Sequence, residues 1–399
     1  MPAIQHIRPL LLSSPYAHAE HPEVLECFPN GPKRTVGMVE VTLDNGVKGV
    51  GEGYLAVFAP EVFRSIVELC RPYLEGTDAF DLSERVRDLC RICDYWSLQG
   101  AARHVISAFE TALVDAKSKS LGVPAYRLFG ESPPARIRAY GSGGICDTKE
   151  HFQEELEFLE VRGIDLYKIR SINSDIFRTA WLLDEAGSRK IGVGVDMCQN
   201  LANPPQPVDN VVRFIEETHR HCNQRMVFVE EAIGPFDTEG FKELRRRTEV
   251  QVCGGEIITT PWDMILRMRD EVYDFVQPDA SVIGGLSAFR DMFDASEETG
   301  MKVVVHAWGG PVAMMANYHA AFARGGKLVE YPMLSFPLGD ELLRDCLVLE
   351  DGHLLCPQRP GLGIEITEST EQRYPYDPQA VYSCKLLDRG QPPDEAWAV

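Results

Sequence analysis

The chain changes its hydrophobic rhythm once, near residue 136. Before that point, residues 35–43 alternate apolar and polar side chains and are followed by Asp44-Asn45-Gly46 and a second alternating run, 47–53. Two such runs around an Asn-Gly pair predict a β-hairpin, because Asn and Gly supply the positive φ angles of a tight turn. Residues 61–75, 81–95 and 101–121 then repeat apolar positions at helical spacing. The third closes with Leu121-Gly122-Val123-Pro124, a glycine and then a proline that cannot continue a helix. Strands followed by helices predict a separate α+β domain over 1–132.

From Arg136 onward, short apolar runs alternate with amphipathic stretches. Eight runs begin near Ile137, Asp165, Ile191, Arg225, Val250, Asp274, Lys302 and Leu328. Helical patterns follow at about 150–162, 174–188, 207–221, 237–247, 260–270, 287–298 and 312–324. Eight strands alternating with seven helical stretches predict a parallel sheet closed as a TIM-type (β/α) barrel over 133–356, with the α+β domain as its cap. The pattern breaks up after residue 340. The polar segment 357–399 is expected to pack back on the cap.

Seven of the eight runs end in ionisable residues. Lys168 and Arg170 end the second and Asp196 the third; Glu230 with Glu231 ends the fourth and Glu256 the fifth. Asp279, His306 and Glu330 end the remaining three. One acid after a strand is usually a helix N-cap. Seven together gather at the barrel end where active sites lie, and converging carboxylates need a cation between them. Asp196, Glu230 and Glu256 from adjacent strands are all-oxygen donors, which suit Mg²⁺, with Mn²⁺ able to substitute. No His or Cys cluster argues for zinc.

Composition narrows the partners. The 399 residues carry a formal net charge of −20, with 44% hydrophobic and 25% charged residues. That charge disfavours nucleic acid and anionic membranes, but a small acidic substrate can still be drawn by a metal and local cations. No stretch approaches the ~20 apolar residues that span a bilayer, and the opening MPAIQHIRPLLL lacks a secretory pattern. A soluble, cytoplasmic protein is expected. The eleven cysteines are scattered, and Cys90-x-x-Cys93 has no second pair, so they read as reduced thiols.

These residues resemble the mandelate-racemase subgroup of the enolase superfamily across nearly the whole chain. Gly51-Glu52-Gly53 and Leu113-Val114-Asp115-Ala116-Lys117 are similar to the family's cap. Asp196, Glu230 and Glu256 match its metal ligands in order, and the further spacings of 26, 23 and 27 residues lead from Glu230 to Glu256, Asp279 and His306. The Asp279/His306 pair resembles this subgroup, whereas the related muconate-lactonising one carries a lysine on the sixth strand. The family usually shows Lys-x-Lys on its second strand; here it is Lys168-Ile169-Arg170. Cys198 and Ala232 replace the usual Asn and Pro.

The resemblance implies Mg²⁺-assisted removal of a proton α to a carboxylate, through an enediolate. It makes His306 the base, oriented by Asp279, and lets Glu330, if protonated, donate a hydrogen bond to the developing oxyanion. Lys168 and Arg170 would flank the substrate carboxylate. Arginine is a poor proton acceptor, so one-base chemistry is expected: dehydration of an acid sugar to a 2-keto-3-deoxy acid. The alternatives are a racemase, epimerase or sugar-lactone cycloisomerase and, remotely, a non-catalytic binding barrel. His306-Ala307-Trp308-Gly309 is similar to a segment of some acid-sugar enzymes. Substrate contacts are expected from Trp308 and from cap loops at 14–34, with His18, His21, Lys33 and Arg34, and at 53–60, with Tyr54 and Phe58. Gly141-Ser142-Gly143-Gly144 lacks the spacing of a phosphate-binding loop and reads as a turn. Enzymes that this one resembles are commonly symmetric homo-oligomers.

Overall fold

A cap of strands and helices sits on a parallel barrel. The computed structural model describes residues 2–16, 33–130, 132–145 and 148–380. His18, His21 and the tail beyond Ala380 therefore lie outside the described residues.

The cap sheet has the order β1 (Ile4–Pro15), β2 (Lys33–Leu43), β3 (Lys48–Glu52), all antiparallel. The expected hairpin is β2–β3. Strand β1 was not foreseen: Pro9 and the charged positions around it blur its alternation, and a proline is tolerated because this is an edge strand. Both faces of β2 are buried. Val36 and Met38 face the barrel, while Val39, Val41 and Leu43 face the cap helices. Helices Pro60–Leu74, Leu82–Ser97 and Ala101–Leu121 cover that outer face. The last lies directly on β3: a Cβ at Gly49 or Gly51 would come within 2.2 and 2.0 Å of the Ala112 and Ala108 carbonyls.

The eight barrel strands are β4 (Arg136–Ser142), β5 (Leu166–Arg170), β6 (Gly192–Asp196), β7 (Met226–Glu230), β8 (Gln251–Gly254), β9 (Phe275–Val276), β10 (Lys302–Val303) and β11 (Leu328–Pro332). Each pairs in parallel with the next from β4 to β10. Val305, just past β10, bridges to Val329 of β11, and β11 pairs with β4, which closes the ring. Tyr140, Leu166, Phe228, Cys253, Phe275 and Val304 form a compact apolar cluster drawn from the barrel strands and their margins. Gly194 leaves room for the Phe228 ring, which would lie 2.2 Å from a Cβ there.

A short hairpin, β12 (Leu349–Glu350) and β13 (His353–Leu355), pairs antiparallel with the start of β4. Its strands are too short to carry a sequence period. Beyond it the chain runs back to the cap. Arg8 forms a two-pronged ion pair with Glu371, at 2.6 and 3.0 Å, and Ser13 donates its backbone N–H to the Tyr374 carbonyl. The cysteines among the described residues are free thiols; Cys93 faces Cys70, and Cys90 accepts from Arg103, so they do not share a ligand site. Among the described residues, no helix is long and apolar enough to cross a membrane.

Candidate active site

The strand ends place the expected ionisable residues around one mouth. Lys168 is fully buried, with its ammonium 2.5 Å from Glu230 Oε1 and 2.8 Å from Glu330 Oε1. Burial alone would strip its charge, but the two carboxylates more than reverse that and hold it well above the usual lysine range. Arg170 points the same way, as a residue two further along a strand must. Its Nη1 donates to the Gly143 carbonyl at 2.7 Å, its Nε stands 3.8 Å from Asp196 Oδ2, and its guanidinium lies 4.1 Å from the Trp308 ring centroid.

His306 and Asp279 form the expected pair. Nδ1 of the imidazole meets Asp279 Oδ2 at 2.7 Å, which turns Nε2 toward Glu256 Oε2 at 3.2 Å and Glu330 Oε2 at 3.9 Å. Burial opposes the imidazolium, yet the surrounding carboxylates Glu256, Glu330 and Asp279 push its pKa up to about 10. Asp279 is itself fixed: Ser281 gives it a backbone and a hydroxyl hydrogen bond, both 2.7 Å, and Asn317 an amide bond at 3.0 Å.

Glu330 would donate to an oxyanion only if protonated. In the structure Lys168 and His306 pull its carboxyl well below the usual carboxylate range despite its burial, and it accepts the Ala307 N–H at 2.8 Å, which favours the accepting form.

Asp196, Glu230 and Glu256 lie at three neighbouring strand ends, but each is engaged within the protein. Asp196 accepts the Cys198 N–H at 2.8 Å, Glu230 takes Lys168 and the Gln277 amide at 2.5 Å each, and Glu256 takes Asn200 at 2.7 Å. Among the described residues, no group of three His, Cys, Asp or Glu side chains is arranged to hold a metal ion. The donor set still fits a hard dication chemically. Among the described residues, the cationic side chains facing these six carboxylates, with Glu231, Asp279 and Glu330 included, are Lys168, Arg170 and His306. Burial together with their mutual repulsion raises Glu230 to about 7 and Glu231 to about 8. Glu231 Oε2 is buried without a partner among the described residues.

Of the expected substrate contacts, Tyr54 and Trp308 reach the mouth. The Tyr54 ring stands edge-on to His306 at 6.3 Å and to Phe58 at 5.7 Å, and Trp308 packs with Ile145, Tyr54 and Leu334. Arg34 and Lys33 part company. Adjacent strand residues point to opposite faces: Arg34 turns to the barrel and donates to the Trp308 carbonyl at 2.7 Å, while Lys33 pairs with Asp377 of the tail at 2.7 Å. Lys33 thus ties cap to tail and its ammonium is not offered to the mouth. Sequence reasoning also missed Gln277, Asn200, Asn317 and Ser281. Gln277 and Ser281 each stand two residues from Asp279, which is the nearest thing to a signal that the sequence carried for them.

The chain belongs to the enolase C-terminal domain-like family, which residues 151–370 match. Residues 19–130 match the mandelate racemase / muconate lactonizing enzyme N-terminal domain. Among curated relatives, the arabinonate dehydratase of Saccharolobus solfataricus is 26% identical, over 84% of this chain and 89% of its own. The D-galactonate dehydratase of Pectobacterium atrosepticum is also 26% identical, over 83% of this chain and 88% of its own. Two solved structures share the fold. The 3,6-anhydro-D-galactonate cycloisomerase from Zobellia galactanivorans superposes with a TM-score of 0.80 at 24% identity, covering 93% of this chain and 99% of that one. L-talarate dehydratase from Polaromonas sp. JS666, complexed with Mg and L-glucarate, gives 0.76 at 22% identity, covering 94% and 98%.

Proposed function

We propose that the protein dehydrates an acid sugar to a 2-keto-3-deoxy acid by one-base chemistry at His306, with Mg²⁺ held by Asp196, Glu230 and Glu256. The observation that carries this reading is the asymmetry of the mouth. Among the described basic side chains at the mouth, His306 is the one placed to gain and lose a proton, because Lys168 is paired as an ammonium between Glu230 and Glu330 and Arg170 is a permanent cation. Inversion at an α-carbon needs a proton acceptor on each face; loss of water needs only one. The acid-sugar dehydratases among the relatives agree.

In this mechanism His306 Nε2 takes the α-proton, while Asp279 fixes Nδ1–H and steadies the imidazolium that results. The C–H electron pair moves toward the carboxylate. The imidazolium then returns its proton to the β-hydroxyl, which departs as water, and the remaining enol takes a solvent proton at the β-carbon while its hydroxyl proton leaves to solvent, giving the keto acid. Lys168 and Arg170 face the substrate carboxylate as fixed cations, and Trp308 and Tyr54 wall the mouth. When bound, Mg²⁺ would supply positive charge for the carboxylate oxygens as they gain electron density, and would offset the pull of Glu256 that keeps His306 protonated.

A library of mono- and di-acid sugars in D₂O with Mg²⁺ tests the reading. The expected result is keto acid without α-epimer, lost in His306→Ala and in excess chelator. α-Deuterium exchange with inverted configuration and no keto acid would overturn it in favour of an epimerase, with Lys168 as second base. A cycloisomerase, the reading suggested by the short likeness at His306-Ala307-Trp308-Gly309, would instead rearrange a sugar lactone without forming keto acid.

A further inference from the structure

The segment His306–Gly310 carries the proposed base and the Trp308 indole, yet it lies outside any strand or helix. Hydrogen bonds from two sources fix it. The barrel contributes the Pro278 carbonyl, which accepts the His306 N–H at 3.0 Å, and Glu330, which accepts that of Ala307. The cap contributes the rest. Arg34 donates to the Trp308 carbonyl at 2.7 Å, and Glu52 accepts the Gly310 N–H at 2.7 Å and the Ala313 N–H at 3.0 Å.

Arg34 and Glu52 come from the neighbouring strands β2 and β3, and both are almost fully buried. Their side chains lie on the barrel-facing side of the cap sheet, in step with Val36 and Val50. The approach is close: a Cβ at residue 310 would stand 2.5 Å from Glu52 Oε1, so glycine there is what admits the carboxylate. Glu52 also serves the N-terminus of helix Pro311–Ala323, where unsatisfied N–H groups favour an anion.

We propose that Arg34 and Glu52 are positioning residues, through which the seat of the cap on the barrel sets where His306 Nε2 and the Trp308 indole stand against the substrate. This rests on the reading of His306 as base. Neither residue meets the reacting atoms; both act through the segment that carries them. A misplacement of about 1 Å can cost about 100-fold in rate, and a carboxylate that holds two N–H groups cannot be replaced fully by an amide, which accepts at one end only.

The test is a set of three variants, Glu52→Gln, Arg34→Gln and the double variant, assayed on the acid sugar that the wild type dehydrates. Glu52→Gln is expected to lower kcat by about 30- to 100-fold, with KM within about threefold. The double variant should lose less than the product of the single losses, because both anchors serve one segment. Amide hydrogen exchange at Ala307 and Trp308 should quicken in each. Unchanged kcat with only a lower melting temperature would overturn the proposal, as would independent, multiplicative losses. If Glu52→Gln does not fold, Arg34→Gln alone carries the same kcat-against-KM comparison. If the wild type dehydrates no acid sugar, the functional reading falls; the exchange measurement then stands by itself, and unchanged exchange in both single variants would dispose of the anchoring.

Discussion

Two sets of buried carboxylates, one at the seam between cap and barrel and one at the barrel mouth, are satisfied in different ways. At the seam between cap and barrel, Glu110 accepts the backbone N–H groups of Leu286 and Ser287 at 2.8 and 3.0 Å, and Glu52 does the same for Gly310 and Ala313. At the barrel mouth, Glu330 and Asp279 face Lys168 and His306. Backbone donors are dipoles and offset burial only in part, so Glu52 and Glu110 both rise to about 7. Full charges reverse the balance at two acids of the mouth, and Glu330 and Asp279 fall below their ordinary values despite equal burial. Glu230 and Glu231, crowded by other carboxylates, rise as the seam acids do. The seam holds its acids with backbone dipoles; the mouth holds Glu330 and Asp279 with charged partners.

The sharpest way to break this comparison is Lys168→Met, which leaves Glu230 and Glu330 with an unpaired charge. Removing one partner of a buried pair costs about 3–5 kcal/mol, and keto-acid formation should fall below detection while the melting temperature drops by about 10 °C. An unchanged melting temperature would show that the mouth does not rely on that charge. Asp279→Asn comes next. It keeps the shape but removes the charge that orients Nδ1 of His306, and kcat should fall by about 10²- to 10⁴-fold with the fold intact; a loss below tenfold would demote the dyad.

Glu110→Gln has the smallest effect and tests the other side. The amide mimics the neutral acid, so wild type and variant should melt alike near pH 4.5. Because the folded carboxyl, at about 7, binds its proton more tightly than the unfolded one, wild type loses stability relative to the variant as pH rises from 4.5 to 7. Above pH 7.5 the gap should level off at a few degrees in favour of the variant. A gap that shrank as pH rose would mean that the seam stabilises the ionised form.

The mouth was legible in the sequence because seven of the eight barrel runs are short apolar stretches with an ionisable residue at or just past their C-terminal end. The seam was not. The partners of Glu110 and Glu52 are backbone groups 176 to 261 positions away, and a backbone N–H leaves no mark in a sequence. The trace it left is indirect. Gly285, at φ +88°, and Gly310 stand where any Cβ would strike these carboxylates, at 1.9 and 2.5 Å. Lys33 and Arg34 could have been told apart by strand parity alone, once the extent of β2 was known. The downward pull on the Glu330 carboxyl could not, because it depends on which cations surround it in space.

The tie between Arg8 and Glu371 gives the cap a timetable. Their positions differ by 363 residues, so a ribosome adding about 5–20 residues per second completes that contact roughly half a minute or so after Arg8 is made. Until then β1 is an edge strand without its clasp, and the barrel can close before the cap is finished. The growing chain spends that interval with an open strand edge near its leading end, the kind of surface on which nascent chains recruit chaperones or pair with one another.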